Sequence, residues 1–202
     1  MNRLCGALCA LLLAACSLGA QKDAAVTFDF GAPRANSGAQ KTINRTVLVH
    51  GIAAPAWLDT QAIVYRLNYQ DSARQLSYAN SRWAAPPAAL LTQRLRGEIA
   101  AVSSAGIVSV ADSARADYML RLELEDFSQV FDAADRSRVV VSARASIVNV
   151  GKRALLAQKS FSFERPAGSA NAEGGVRALA AAGDELIGAV VNWTAASLAA
   201  DK

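Results

Sequence analysis

The chain is 202 residues long, 52% apolar and 19% charged, with a formal charge of +4 at neutral pH. That length fits one domain with a sizeable core, and the charge is too small and too dispersed to indicate a nucleic-acid partner. One histidine and three cysteines, at positions 5, 9 and 16, leave little material for a metal centre or a nucleophilic triad.

The chain opens on an apolar run from Leu4 to Ala15, shorter than the roughly 20 residues a spanning helix needs. Arg3 precedes it and the small residues Ala14 and Ala15 close it, as in a secretory signal peptide. Leu13-Ala14-Ala15-Cys16 matches the bacterial lipobox, in which the cysteine becomes the first mature residue and carries the lipid. The other reading is a plain signal peptide cut near Ala20, with Cys16 discarded. The lipobox reading divides the chain into a signal peptide (1–15), a lipidated Cys16 with a short tether (16–25) and a single domain (26–202). Diacylglycerol and an N-acyl chain on Cys16 are then the only added groups; no cofactor and no metal are expected. More than one acyl chain holds a protein stably, at about 0.8 kcal/mol per buried CH₂. Ser17 follows, where an Asp in enterobacterial lipoproteins favours inner-membrane retention, so the expected location is the periplasmic face of the outer membrane. Losing Arg3 lowers the charge to +3, and losing Cys5 and Cys9 leaves the domain without a free thiol. "SLGAQKDAA" (17–25) is small and polar and, as a flexible coil, spans about 15–18 Å.

"AVTFDFG" (25–31) alternates apolar and polar residues and reads as a first strand. "APRANSGAQKTIN" (32–44) is a loop, and "RTVLVHGI" (45–52) a β-branched strand. Pro55 begins a short turn through Trp57 and Leu58. "AIVYRLN" and "QLSYANSRWA" then form a hairpin around "QDSAR". From Pro86 the period becomes helical: Leu90, Leu91, Leu95, Ile99 and Val102 share one face of residues 87–104, and Gly106 stops the helix. "GIVSVAD" is a short strand. "DYMLRLELEDFSQVF" (117–131) alternates most clearly, with Tyr118, Leu120, Leu122 and Leu124 on one side and Met119, Arg121, Glu123 and Glu125 on the other. "RSRVVVSARASIVNVG" and "RALLAQKSFSFERP" complete an antiparallel meander. Residues 172–200 form a long helix with Val176, Leu179, Gly183, Leu186, Ile187, Val190, Thr194 and Leu198 on one stripe. The order β–β–β–β–α–β–β–β–β–α indicates α+β: a largely antiparallel sheet with two main amphipathic helices packed on one face. One parallel pairing is expected where the first helix crosses over.

Catalytic patterns are missing. "GAPRANSG" has no strand-to-helix context for a nucleotide loop. "AEGGVRAL" puts two glycines before the last helix, whose start could bind an anion or act as a hinge. Glu123, Glu125 and Asp126 read as solvated carboxylates. His50 lies in a strand-like run without partners for a triad or a metal, so an enzyme is not expected.

Aromatic residues stand beside polar ones in "WLDTQAIVYRLN…LSYANSRWAAPPAALLTQRL". Through Leu58, Asp59, Ile63, Val64, Tyr65, Arg66, Tyr78, Ala79, Trp83, Pro86, Leu90 and Leu91 this segment resembles the ABC-type transport auxiliary lipoproteins, the PqiC-like family of envelope lipoproteins. The start departs from that pattern, with "VTFDFG" where such proteins commonly open on a "Y.L" strand. The resemblance implies a non-catalytic component of an envelope system that moves lipid or hydrophobic solute. Its implied partners are an MCE-domain (mammalian-cell-entry type) protein and an inner-membrane ABC permease and ATPase; the lipid anchor adds the membrane, and a homo-oligomer is open. Trp57, Leu58, Tyr65, Tyr78 and Trp83 are the candidate partner or lipid contacts, since Trp and Tyr are favoured at interfaces; packing against the helix is the other role for Tyr65 and Trp83. Two other functions remain open: a lipoprotein that activates a peptidoglycan synthase or supports outer-membrane assembly, for which the tether is short, and an envelope hydrolase, which would have to rest on His50.

Overall fold

The computed structural model describes residues 24–32, 42–108, 112 and 114–201. Cys16, the signal peptide and most of the tether lie outside the described residues. The elements follow the order read from the sequence: β1 (Val26–Phe28), β2 (Val47–Val49), β3 (Ala62–Leu67), β4 (Asp71–Trp83), α1 (Pro87–Val102), β5 (Ile107–Val108), β6 (Tyr118–Ala133), β7 (Arg136–Asn149), β8 (Ala154–Pro166) and α2 (Ala172–Ala200).

Alternating side chains build the centre of the sheet. β6 and β7 pair antiparallel from Tyr118↔Asn149 to Ala133↔Arg136, and β7 pairs β8 from Arg138↔Pro166 to Asn149↔Ala154. Tyr118, Leu120, Leu122 and Leu124 of β6 are buried, as are Val139, Val141, Ala143, Ala145 and Ile147 of β7. Arg121, Glu123, Glu125 and Arg144 are exposed on the opposite face, where Arg144 reaches Glu123 at 2.8 Å and Glu125 at 3.4 Å. A β-bulge lies between Leu124 and Asp126. The extra residue changes the parity of the strand, so Phe127, Gln129 and Phe131 continue on the core side instead of turning to solvent.

The other edge of β6 is covered in two stages. Residues 47–49 pair parallel with 118–120, Ala53 bridges Glu123, and residues 65–67 pair parallel with 129–131. Between the stages the chain turns away, with the Leu58 N–H donating to the Pro55 carbonyl at 2.8 Å, beside the bulge. The sheet is therefore forked: β3, β4 and β1 extend one arm, β2 and β5 the other. Antiparallel ladders dominate, but parallel pairing occurs at β1/β4, β2/β5, β2/β6 and β3/β6. This corrects the expected crossover: α1 joins β4 to β5, which run in opposite senses and are not neighbours, and the parallel pairs arise from laying β2 and β3 along β6.

Both helices cover one face, as the α+β reading requires. Pro87 starts α1, where a missing N–H costs nothing. Leu91, Leu95 and Ile99 are fully buried, while Leu90 and Val102 are half-buried. Thr92 is buried within hydrogen-bond reach on both sides, accepting from the Ile52 N–H at 2.8 Å and donating to the Ala88 carbonyl at 2.7 Å. α2 is capped by Asn171, whose side chain accepts from the Gly174 N–H at 2.9 Å, and Glu173 in its first turn complements the dipole. Its whole expected stripe, Val176 to Leu198, is buried. Gly183 lets α1 approach, since a Cβ there would lie 3.2 Å from Leu91 Cδ2.

Candidate functional site

The structure separates the aromatic residues expected at a contact surface. Trp83 is 1% exposed and Leu58 is 2% exposed, so both belong to the core; this corrects their assignment as contacts. Trp83 packs edge-on against Phe30 at 5.4 Å and against Phe127 at 5.8 Å, the T-shaped geometry that aromatic quadrupoles favour. Trp57 is half-buried in the turn between β2 and β3. The Arg66 guanidinium lies 5.4 Å from its ring centroid, a cation–π contact of about 0.5–1 kcal/mol. Arg66 alternates with Tyr65 along β3, so Trp57 and Tyr65 serve opposite sides of that strand.

Tyr65 and Tyr78 come together on the helix side. Their rings are 4.7 Å apart, and Tyr65 is 5.7 Å from Phe131. Beneath them lies Gln129, fully buried. Its Oε1 accepts from the Tyr78 hydroxyl at 2.9 Å, and its Nε2 donates to Ser137 Oγ at 2.8 Å. Burial, and secondarily the neighbouring Tyr65, pushes the Tyr78 phenol up to about 12, so Tyr78 is a neutral donor throughout the physiological range. Gly174 and Gly175 of the "AEGGVRAL" segment are not a hinge ahead of the helix: both are buried in the first turn of α2. A Cβ on Gly175 would collide with the Gln129 amide, and one on Gly174 with the Ser169 backbone. The cluster thus joins three elements, β3–β4, β6–β7 and the start of α2, in one half-exposed aromatic surface with a satisfied polar floor. Gln129, Phe131 and Ser137 escaped sequence reasoning, and Gly175 stood out there only as part of a hinge or anion site. The one available signal was "FSQVF", where strict alternation breaks down.

Residues 29–31 cross between two shallow clefts of about 440 and 500 Å³. Phe30 is buried among Trp83 and Phe127, at 5.4 and 5.7 Å. Arg94 of α1 holds this segment: its Nη2 donates to the Gly31 carbonyl at 2.9 Å and the Phe30 carbonyl at 3.3 Å, while its Nη1 lies 3.5 Å from Asp184 of α2. His50 follows β2, half-buried, its backbone N–H donating to the Leu120 carbonyl at 3.3 Å. Among the described residues, no group of three or more His, Cys, Asp or Glu side chains could hold a metal.

The fold is shared with solved structures. It matches the crystal structure of a Xanthomonas campestris protein described as DUF330, with a TM-score of 0.78 at 17% identity, covering 88% of this chain and 98% of that one. It also matches a hypothetical protein from Chlamydia trachomatis, with a TM-score of 0.52 at 8% identity, covering 78% of this chain and 99% of that one. No curated protein gives a match. At these identities the likeness is one of fold. The family follows from the chain itself: the model of the ABC-type transport auxiliary lipoprotein component matches residues 28–191, and the chain belongs to that family. Its members are membrane-anchored lipoproteins. Among the described residues no helix is long and apolar enough to cross a membrane.

Proposed function

We propose that this chain is a lipoprotein lipidated at Cys16, anchored at the periplasmic face of the outer membrane, and a non-catalytic docking component of an MCE/ABC system that moves lipid or another hydrophobic solute. The observation that carries this reading is the family match over residues 28–191, standing directly behind the lipobox "LAAC". In this reading the inner-membrane permease and ATPase supply the energy, and the MCE-domain protein meets the lipoprotein across the periplasm. The half-buried aromatic surface of Tyr65 and Tyr78, and Trp57 on the other side of β3, offer contact area at low conformational cost.

Co-purification from detergent-solubilised envelopes tests it. An MCE-domain protein and ABC subunits are expected with the lipoprotein, and cells lacking the gene become sensitive to detergents and organic solvents. Neither partner in the eluate, together with unchanged sensitivity, would end this reading.

A further inference from the structure

The end of the sheet where β6 begins carries a cleft of about 630 Å³ assembled from four distant parts of the chain. Arg45 precedes β2, Arg115 precedes β6, Lys152 and Arg153 lie in the turn between β7 and β8, and Asp201 follows α2. Two carboxylates line it, and both are tied into the fold. Asp117 accepts from the Thr46 N–H at 3.0 Å and from the Thr46 hydroxyl at 2.8 Å. Asp201 accepts from the Tyr118 hydroxyl at 2.7 Å, with Lys152 Nζ at 4.0 Å. Among the described residues, four cations against two carboxylates leave the cleft at +2. Among the described residues, Arg45, Arg115 and Arg153 have no carboxylate within ion-pair distance.

Arg153 adds an independent observation. Its φ is +51°, the one non-glycine residue with positive φ among the described residues. A turn position of this kind suits Gly or Asn, and another side chain there costs stability. The chain has a glycine two residues earlier, at Gly151, yet sets a guanidinium on the strained position beside the cleft. A residue held at such a φ beside a cleft is a candidate for a functional contact. Guanidinium forks match tetrahedral oxyanions with paired, charge-assisted hydrogen bonds.

We propose that this cleft binds a phosphate group, carried by a lipid headgroup or present as free phosphate, through Arg45, Arg115 and Arg153 with Lys152 at its rim. The cleft lies about 30 Å along β6 from Gln129 under the aromatic surface, so it stands apart from that surface, and the proposal does not rest on the transport reading.

The test uses the full lipidated chain in neutral detergent, titrated with inorganic phosphate in one arm and with micelles doped with phosphatidylglycerol in the other. Saturable binding is expected, weakened about tenfold or more in the double variant Arg115→Gln/Arg153→Gln and unchanged in Arg74→Gln, on the distant β4. Arg153→Gly separates binding from folding: it relieves the backbone, so the melting temperature holds or rises while affinity falls. Saturation with inorganic phosphate alone assigns the site to free phosphate, and tighter binding of doped micelles assigns it to a headgroup; either supports the proposal. Full affinity in the double variant, or saturation in neither arm, overturns it. So does a hexaglutamate peptide that binds where neither phosphate source does, which would make the cleft a dock for an acidic protein segment.

Discussion

Gln129 is the residue on which the aromatic surface turns. A buried amide is tolerated only when its donors and acceptor are met, and here Tyr78 and Ser137 meet them while Gly175 makes the room. Tyr78→Phe keeps the ring but leaves the Gln129 Oε1 without that donor, a cost of about 1–3 kcal/mol, to be read from the denaturant midpoint at neutral pH. The same variant changes the alkaline limb. The Tyr78 phenol stands at about 12 in the fold against an ordinary 10.0, so the native state keeps a proton that the unfolded chain releases. Its contribution is whole below pH 10 and is lost as pH rises from 10 towards 12. Denaturation series across that window should show a steep decline in the parent chain and a shallower one in Tyr78→Phe. Part of the slope remains, because the hydrogen bond to Asp201 and burial also raise the Tyr118 phenol. An equal slope in both proteins would refute the assignment.

Among the elements, β6 organises the molecule, because both arms of the fork pair with it. Its bulge predicts an asymmetric response to deletion. Removing Glu125 takes out the extra residue and leaves Leu124 and Phe127 facing the core, at a cost of about 1–2 kcal/mol, or roughly 2–8 °C in the melting temperature. Removing Arg121 instead sends either Tyr118 and Leu120 or Leu122 and Leu124 to solvent, so that variant should not give a cooperative thermal transition. Circular dichroism melts of the two deletions compare the outcomes directly; equal behaviour would mean that strand parity does not govern this sheet. The element order and both helices were legible in the sequence because they depend on local period: Val176 to Leu198 mark the stripe of α2 over its whole length. The neighbours of β6 were not, since nothing local in "RTVLVHGI" or "AIVYRLN" says that both lie parallel along one distant strand. Trp83 and Leu58 were misplaced for a related reason. A tryptophan beside polar residues suits an interface, yet Phe30 and Phe127, more than 40 residues away on either side, enclose it. Helical spacing says nothing of what Arg94 meets; its partners, the Phe30 and Gly31 carbonyls and Asp184, are fixed only by tertiary packing.

For the whole molecule, attachment and folding should be separable. The core is built from residues 30–198, so a chain whose residues 1–16 are exchanged for a cleavable secretory signal without a cysteine is expected to move from the membrane to the soluble periplasmic fraction with an unchanged melting temperature. Fractionation followed by calorimetry reads both, and a variant that stays with the membrane would remove the lipid from the account. β1 runs parallel to β4, pairing Val26 with Ser81 and Phe28 with Trp83. Its upstream end therefore points along the sheet towards the β3–β4 and β6–β7 turns, the end opposite the basic cleft.

That short strand has a mechanical meaning. A tug on the chain ahead of Ala24, drawn along the strand axis, loads the β1–β4 ladder in shear, so its bonds resist together instead of opening one by one. Beyond the ladder the load meets Phe30, wedged between Trp83 and Phe127, and then Arg94, latched to Asp184. Such a pull would enter the sheet through β4 and, by way of Phe30 and Arg94, reach both helices at once.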